Sequence, residues 1–481
     1  MAHHVPSFAV IAFVPRDSLA LGRFAHNFGE ERQVRISEID VFDRTTKMEF
    51  ERSVTNPNFF HIRACFLNKY WSFVNQSTTE VIIGSDQKCE DASQSTLFEP
   101  LFDERTGTHF IRSVSRGRLL VLGEDDGLVS ISDLTDPPIT NISQATRSIR
   151  FRLIEWDTLI RLPKYVSFRG HNNKFLKAWS QGSNIYVSAS SDEGDDRETS
   201  FEVIERGDGH VRIQSLLGSG VWYNLAAAGG GNWIVHVKNA TSILTLFWPI
   251  KVGGNVIALR SAQNNSFCRS LTQGNLVDCL SPSGTTINSP ARLIVSELVT
   301  GRRMYDVRYH MDNARIYGQR AVVAGTGHAT NRGQQESTLT VEISVTEHTS
   351  YTFSNSNSLS TGVSTSITAG FGYIVTLEVG IEISSEQTVS VEVGKEVSRT
   401  TTSTTSYAVP VPPMSTVIVN YVATEGKCDI PFSYTQRDQD SIDGSFRYST
   451  HEDGVYTGVN YFNFHYDQPR FRSLQEEENV E

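Results

Sequence analysis

The chain has 481 residues and a formal charge of −11 at pH 7, which leaves room for about three domains of ~150 residues each and argues against a nucleic-acid partner. With 20% charged residues, 35 Gly, and Ser and Thr dense between short β-branched runs, an all-β class is favoured. The cysteines Cys65, Cys89, Cys268, Cys279 and Cys428 are odd in number and lack a CxxC spacing, so neither a zinc site nor a disulfide framework is expected; a single Cys268–Cys279 bond stays open, and no cofactor is called for.

At the N-terminus, His3 and His4 precede a short apolar run from Phe8 to Val14 with no Lys or Arg before it and no small-residue cleavage site after it. The expectation is a chain without a secretory signal, stored in the cytoplasm and released in soluble form on wounding. No run of about 18 apolar residues exists to make a transmembrane helix, so a membrane could be crossed only as a β-barrel.

Repeats organise the next three hundred residues. Segments beginning at Val10, Phe59, Thr108, Tyr165, His210 and Val256 each read as a strand, a polar turn and a second strand opening on an aromatic or aliphatic residue, as in Asn172-Asn173-Lys174-Phe175-Leu176. Aligned on Phe13, Ile62, Ile111, Phe168, Ile213 and Leu259, they are nearly evenly spaced, with one longer step between the third and fourth. Each is followed by a closing strand, among them Leu97-Phe98-Glu99-Pro100, Phe201-Glu202-Val203-Ile204 and Leu246-Phe247-Trp248-Pro249. One such unit cannot bury its apolar face, but three closed on a pseudo-threefold axis can. Two tandem β-trefoils are therefore expected, over 1–157 and 158–299, meeting near Ile154-Glu155-Trp156-Asp157.

From Gly301 the character changes: hydroxyl residues thicken, strands lengthen and the repeat stops. A third domain over 300–481 ends in the acidic tail Gln475-Glu476-Glu477-Glu478-Asn479-Val480-Glu481. Ser337 to Phe353 alternates, Gln387 to Val397 alternates, Thr400 to Ser406 is nearly all hydroxyl, and Val409-Pro410-Val411-Pro412-Pro413 stops that strand before Ser415 to Ala423 begins another. Between them, Leu359 to Ile383 carries apolar or Thr residues at odd positions and mostly Ser, Gly, Thr and Glu at even ones, the period of a strand. Gly370-Phe371-Gly372 can turn it back. Because both arms are apolar at odd positions, an odd-length loop is required, either Gly370–Gly372, pairing Ile367 with Val375 and Val363 with Val379, or Gly370–Ile374. Each arm has the roughly 9 to 11 residues of a transmembrane strand. An ordinary half-buried hairpin would show the same alternation.

Two resemblances bear on function. Lys69-Tyr70-Trp71, Thr96-Leu97-Phe98-Glu99-Pro100-Leu101, Ile154-Glu155-Trp156 and the run Leu162 to Leu176 are similar to the amaranthin-type plant agglutinins, paired β-trefoils that bind galactose- and GalNAc-type disaccharides between modules of two subunits. The resemblance implies a glycan partner, a dimer when soluble and a role in plant defence. It points to carbohydrate-binding positions at Asn75, Ser77 and Thr79 in the first module and Trp222, Asn232 and Trp233 in the second. In the first module, Asn75 to Glu80 stands where that family has aromatics, and each tryptophan competes with a role in the core.

From Arg303 to Asp467 the chain resembles the aerolysin-like pore-forming proteins: a hydroxyl-rich hairpin, the Glu/Val strand after it, the stop at Pro412-Pro413 and Asp453-Gly454-Val455-Tyr456 near the end. This implies a homo-oligomeric ring that inserts a β-barrel into a lipid bilayer. Val363, Thr365, Ile367, Ala369, Phe371, Tyr373, Val375, Leu377, Val379 and Ile381 would face lipid, with Phe371, Tyr373 and Ile374 at the tip. Glu378 and Glu382 would line the lumen and favour cations. Motifs for catalysis are absent: no HExxH, P-loop or nucleophile elbow occurs, so no enzyme is expected. The alternative is a non-lytic lectin whose third domain only assembles subunits.

Overall fold

The computed structural model describes residues 5–14, 23–28, 33–73, 81–85, 87–91, 96–122, 127–131, 150–218, 220–227, 231–355, 359, 363–371, 374–377, 380–383 and 387–474. The fold is all-β, with a few short 3-10 turns. The described residues separate into two compact units: 1–301 together with 357–363 and 438–447, and the remainder from 302 onward.

The first unit holds two closed rings of six strands. In one, Phe8–Phe13 pairs with Lys47–Arg52, which continues through Phe60–Ala64, Leu97–Asp103 and Thr108–Ser113 to Phe151–Glu155, and this last strand pairs back with the first. The other closes in the same order through Tyr165–Arg169, Ser200–Glu205, Val211–Ser215, Phe247–Gly253, Val256–Ser261 and Leu293–Glu297. Three hairpins cap each ring, in the second Phe175–Gln181 with Asn184–Ser191, Gly220–Ala227 with Gly231–Lys238, and Phe267–Gln273 with Leu276–Gly284. A six-stranded barrel with three capping hairpins is a β-trefoil, and the six residues used to align the repeats lie on the first strand of each lobe.

The repeated polar turn has a backbone cause. Asn68, Asn173 and Asn265 (φ 54, 63 and 57) and Gly117 and Gly218 (φ 64 and 81) occupy corresponding turns in the left-handed region, which Asn tolerates and Gly enters without a Cβ clash. Inward-facing positions of successive lobes then meet on the barrel axis: Ile11, Phe50, Ile62, Phe98, Ile111 and Phe151 in the first core, Phe168, Phe201, Ile213, Phe247, Leu259 and Val295 in the second. The modules are joined at Trp156–Thr158, a 3-10 turn with Trp156 buried. Arg161 lies over the Phe42 ring at 4.9 Å and reaches Glu205 at 3.1 Å, and Val41 N–H donates to the Gly207 carbonyl at 2.6 Å.

In the second unit we label the strands β1 (Val299–Tyr309), β2 (Arg315–Asn331), β3 (Ser337–Asn355), β4 (Thr365–Phe371), β5 (Ile374–Leu377), β6 (Gly380–Ile383), β7 (Gln387–Glu392), β8 (Val397–Val411), β9 (Ser415–Asp440), β10 (Phe446–Tyr466) and β11 (Arg470–Ser473). The main sheet runs β7-β4-β1-β9-β10-β3-β8, with β2 and β11 also on β9. The strand expected over Ser415–Ala423 extends to Asp440. Beyond Ala423 it still alternates, with Cys428, Ile430, Phe432 and Tyr434 all buried, so nothing ends it before the turn that begins β10. β8 stops at Val411, where Pro412 and Pro413 remove two N–H donors. One cluster, Val341, Ile343, Val345, Val409, Val411, Val417 and Val419, fastens β3 and β8 onto β9; another, around Phe353, Ile430, Phe432, Tyr434 and Tyr456, lies under β4 and β7.

The cysteine pairing left open by the sequence does not form. Cys268 and Cys279 are free and buried in different clusters. Burial pushes the Cys279 thiol up to about 11 and the Cys268 thiol further. Among the described residues no helix is long and apolar enough to cross a membrane.

Candidate functional site

The alternation of the proposed inserting segment is realised in β4, where Ile367 and Ala369 are buried, Thr368 is exposed, and Val363 and Thr365 are half-buried. The expected register is not. Ile367 stands opposite Val391 and Ala369 opposite Val389, so β4 pairs with β7 and not with 375–383; Gly370 and Phe371 continue the strand to Thr388 and Gln387 in place of a turn. The physical reason is burial. Val389 and Val391 alternate in the same phase as Ile367 and Ala369, and pairing the two strands sets four aliphatic side chains over Phe353, Phe432 and Tyr456. The parity rule is obeyed, odd against odd, by a partner further along the chain.

Ile374, Val375 and Leu377 lie on β5 and Ile381 and Glu382 on β6. These strands form a separate hairpin pairing Ile374 with Ile383, Val375 with Glu382 and Leu377 with Gly380. Tyr373, Glu378 and Val379 lie outside the described residues.

β4 is also held along its other edge. It runs parallel to β1 over three pairs, Arg302–Thr365, Arg303–Ser366 and Met304–Ile367. Two residues later Asp306 has φ 52, and the parallel ladder ends. Beyond that point the Tyr309 hydroxyl donates to the Gly370 carbonyl at 3.1 Å. Burial raises the pKa of that hydroxyl, so it stays protonated. Nothing in the alternation pattern marks Tyr309; only the fold brings it to Gly370.

For the sugar positions, Asn75, Ser77 and Thr79 lie outside the described residues. Trp222 is fully buried among Phe201 (ring centroids 5.2 Å apart), Phe168 (5.5 Å) and Phe247 (6.2 Å). This corrects its reading as a platform: its ring faces are taken by core aromatics. Trp233 is 4% exposed, edge-on to Tyr186 at 6.3 Å. A Cβ on Gly231 would come within 2.6 Å of its indole nitrogen, so glycine is what lets the ring sit there. Trp233 belongs to a plug of corresponding residues from the three hairpins, Trp179, Leu225 and Leu271 with Tyr186, Trp233 and Cys279, which closes the second barrel.

Asn232 is half-buried, and its carbonyl accepts the Ser281 hydroxyl at 2.6 Å. Around this plug Trp179, Tyr186 and Tyr223 keep part of their surface open. Sequence reasoning passed over these three because nothing in their neighbours, Ala178 and Ser180, Ile185 and Val187, or Trp222 and Asn224, sets them apart from any strand aromatic. On the hairpin that carries Tyr223 and Trp233, desolvation of the half-buried His236 depresses its pKa to about 4. Among the described residues no group of His, Cys, Asp or Glu is placed to hold a metal.

No family model and no curated protein matches the sequence. Among solved structures the chain is similar to a mosquitocidal holotoxin, at 10% identity over 60% of this chain and 33% of that one with TM-score 0.28. It is similar to an aerolysin-like protein of Bombina maxima, at 14% identity over 35% of this chain and 99% of that one with TM-score 0.23. It is also similar to the Rhizoctonia solani agglutinin, at 10% identity over 29% of this chain and 98% of that one with TM-score 0.25. The chain thus spans about a third of the holotoxin's length. Its structural neighbours include toxins and an agglutinin.

Proposed function

We propose that this chain is a carbohydrate-binding pore-forming protein: its trefoils attach to galactose- or GalNAc-type surface glycans, copies gather into a ring, and the segment between β3 and β8 inserts as a β-barrel. No catalytic step belongs to this reading.

The observation that carries it is the register of β3 with β8. These strands pair without a bulge from Ser337–Val411 to Tyr351–Val397. Continued through the intervening segment, the same register sets Leu359 against Val389, Thr365 against Ile383, Ile367 against Ile381, Ala369 against Val379 and Phe371 against Leu377. The other face then carries Ser360 with Thr388, Gly362 with Glu386, Ser366 with Glu382, Thr368 with Gly380 and Gly370 with Glu378. The tip falls at Tyr373, Ile374 and Val375. From Thr365 with Ile383 to the tip one face is apolar and one polar; over the roughly 9 to 11 residues per strand that a bilayer needs, the apolar face also takes in Val363 with Ser385 and Thr361 with Gln387. The odd face also continues the face on which Val341, Ile343 and Val345 are buried in β3.

Backbone chemistry makes the ring obligatory. A lone hairpin in lipid would leave edge N–H and C=O groups unpaired at several kcal/mol each, so insertion requires neighbours. Glycan binding raises the local concentration of copies, and each further contact in a ring is intramolecular. Trp179, Tyr186 and Tyr223 supply part-exposed aromatic surface of the kind that packs on a sugar face.

The second reading, assembly without lysis, is favoured by the outer edge of β8, a strand that pairs only with β3 among the described residues and that could bind another copy with no segment released. Dye release from liposomes carrying a galactose-terminated glycolipid, with ring formation followed by electron microscopy, separates the two. Leakage with rings supports pore formation; rings on sealed liposomes would leave only assembly.

A further inference from the structure

The inserting segment must stay in the soluble fold until it is needed, and the means of holding it differ along β4. Over Thr365–Ile367 the strand has a partner on both edges, β7 on one and β1 on the other. Because Val393 N–H donates to the Thr365 carbonyl, odd residues of β4 turn their peptide groups toward β7 and even residues turn theirs toward β1. The parallel ladder ends at Met304–Ile367, so Thr368 and Gly370 direct their peptide groups to an edge from which the neighbouring strand has departed.

Its departure has a visible cause at Asp306, a non-glycine residue at φ 52 within β1. Such a backbone costs energy unless the surroundings hold it. The bend brings Tyr309 back across the gap. Its ring packs edge-on against Phe432 at 6.1 Å and Tyr456 at 6.2 Å, and its hydroxyl meets the Gly370 carbonyl at 3.1 Å.

We propose that Tyr309 is the latch of the inserting segment, a positioning residue whose hydroxyl stands in for the missing strand at Gly370 and sets how readily β4 leaves the soluble sheet. The contact is well suited to release. It is a single neutral hydrogen bond, modest in net terms, on a stretch still paired along its other edge with β7, so losing it frees one edge of the second half of β4 without unfolding the aromatic floor. In its consequence for leakage the proposal rests on the pore-forming reading above; as a statement about the soluble fold it does not.

The test uses the full chain. Tyr309→Phe keeps the ring and removes only the hydroxyl. Tyr434→Phe is the matched control, since Tyr434 belongs to the same cluster but gives its hydroxyl to Asp453 at 3.0 Å. Hydrogen exchange on the lipid-free protein should show the amides of 365–371 and 387–392 opening about two- to twelvefold more often in Tyr309→Phe, the range that one net hydrogen bond spans, with no such local rise in Tyr434→Phe. On glycan-bearing liposomes, Tyr309→Phe should shorten the lag before dye release at equal dose. Unchanged exchange over 365–371 in Tyr309→Phe, or a rise spread evenly over the whole unit, overturns the latch. If neither protein opens a liposome, the pore-forming reading fails, and the exchange result still decides the latch.

Discussion

Ile367 and Val391 face each other across an antiparallel ladder, whereas the β3–β8 register, carried forward, would set Ile367 against Ile381. One strand thus has two partners that suit it equally in pattern, each placing aliphatics beside aliphatics. In the first arrangement the apolar face rests on an aromatic floor; in the second it has no protein cover and needs lipid. Such a pair of packings for one segment is the ingredient of a switch, which in the proposed function glycan binding at a membrane would bias.

Locking the first arrangement should abolish the second. Thr368 and Ser390 are exposed and directly opposed in the β4–β7 ladder. Theirs is a non-hydrogen-bonded pair, for which Cα atoms stand about 4.5 Å apart, within reach of a disulfide. We expect Thr368→Cys with Ser390→Cys to be inactive in dye release when oxidised and to recover on reduction, with glycan binding the same in both states. Equal leakage from oxidised and reduced protein would mean that β4 and β7 do not separate.

Val379→Arg tests the lipid face. In the extended register Val379 lies opposite Ala369 in the wall of the barrel, where an arginine costs about 2 to 4 kcal/mol per copy at the bilayer midplane. Multiplied around a ring, that should suppress leakage while leaving attachment to a glycan array intact. Wild-type leakage in this variant would remove Val379 from the membrane wall.

Glu378 and Glu382 fall on the polar face of the same register, repeated once per copy, so the open pore should prefer cations. Replacing both by Gln ought to move the reversal potential in a salt gradient toward that of a non-selective pore. A reversal potential that stays put would assign selectivity to other residues, among which Glu386 on the same face is the next to exchange.

How far the fold could be read in advance depended on the range of the contacts. The lobes were legible because they repeat the same local demands: among the described turns, a left-handed residue at Asn68, Gly117, Asn173, Gly218 or Asn265, and an aromatic or aliphatic residue that points to the barrel axis. The alternation of Ile367 and Ala369 was legible for the same reason. Their partner was not, because the choice between Val375 and Val391 is made by Phe353, Phe432 and Tyr456, which arrive from three other strands. Trp222 and Trp233 look alike in sequence, each an aromatic on a hairpin strand. Only packing shows the first at the barrel centre and the second in the plug below it. Tyr309 carried no signal at all, since its role comes from a bend in β1, the strand beside the one whose residue it holds.

Acid should weaken the second trefoil through His236. The residue is half-buried, its Nε2 is enclosed with no hydrogen-bond partner among the described residues, and desolvation brings its pKa from 6.5 to about 4. In the unfolded chain this histidine takes up a proton near pH 6.5; in the folded one it does not until about pH 4. Between those values the unfolded state binds more protons, so stability rises with pH there. The contribution is fully present above pH 6.5 and is lost as the pH falls toward 4, to a total of up to about 3 kcal/mol. Burial lowers His26 and His61 in the first trefoil as well, with the same sign. Denaturant unfolding followed by tryptophan fluorescence at pH 7.5, 5.5 and 4.5 should show a shallower loss of stability in His236→Gln than in the wild-type chain. Parallel slopes would mean that the histidine is hydrated in solution and takes no part in the acid response.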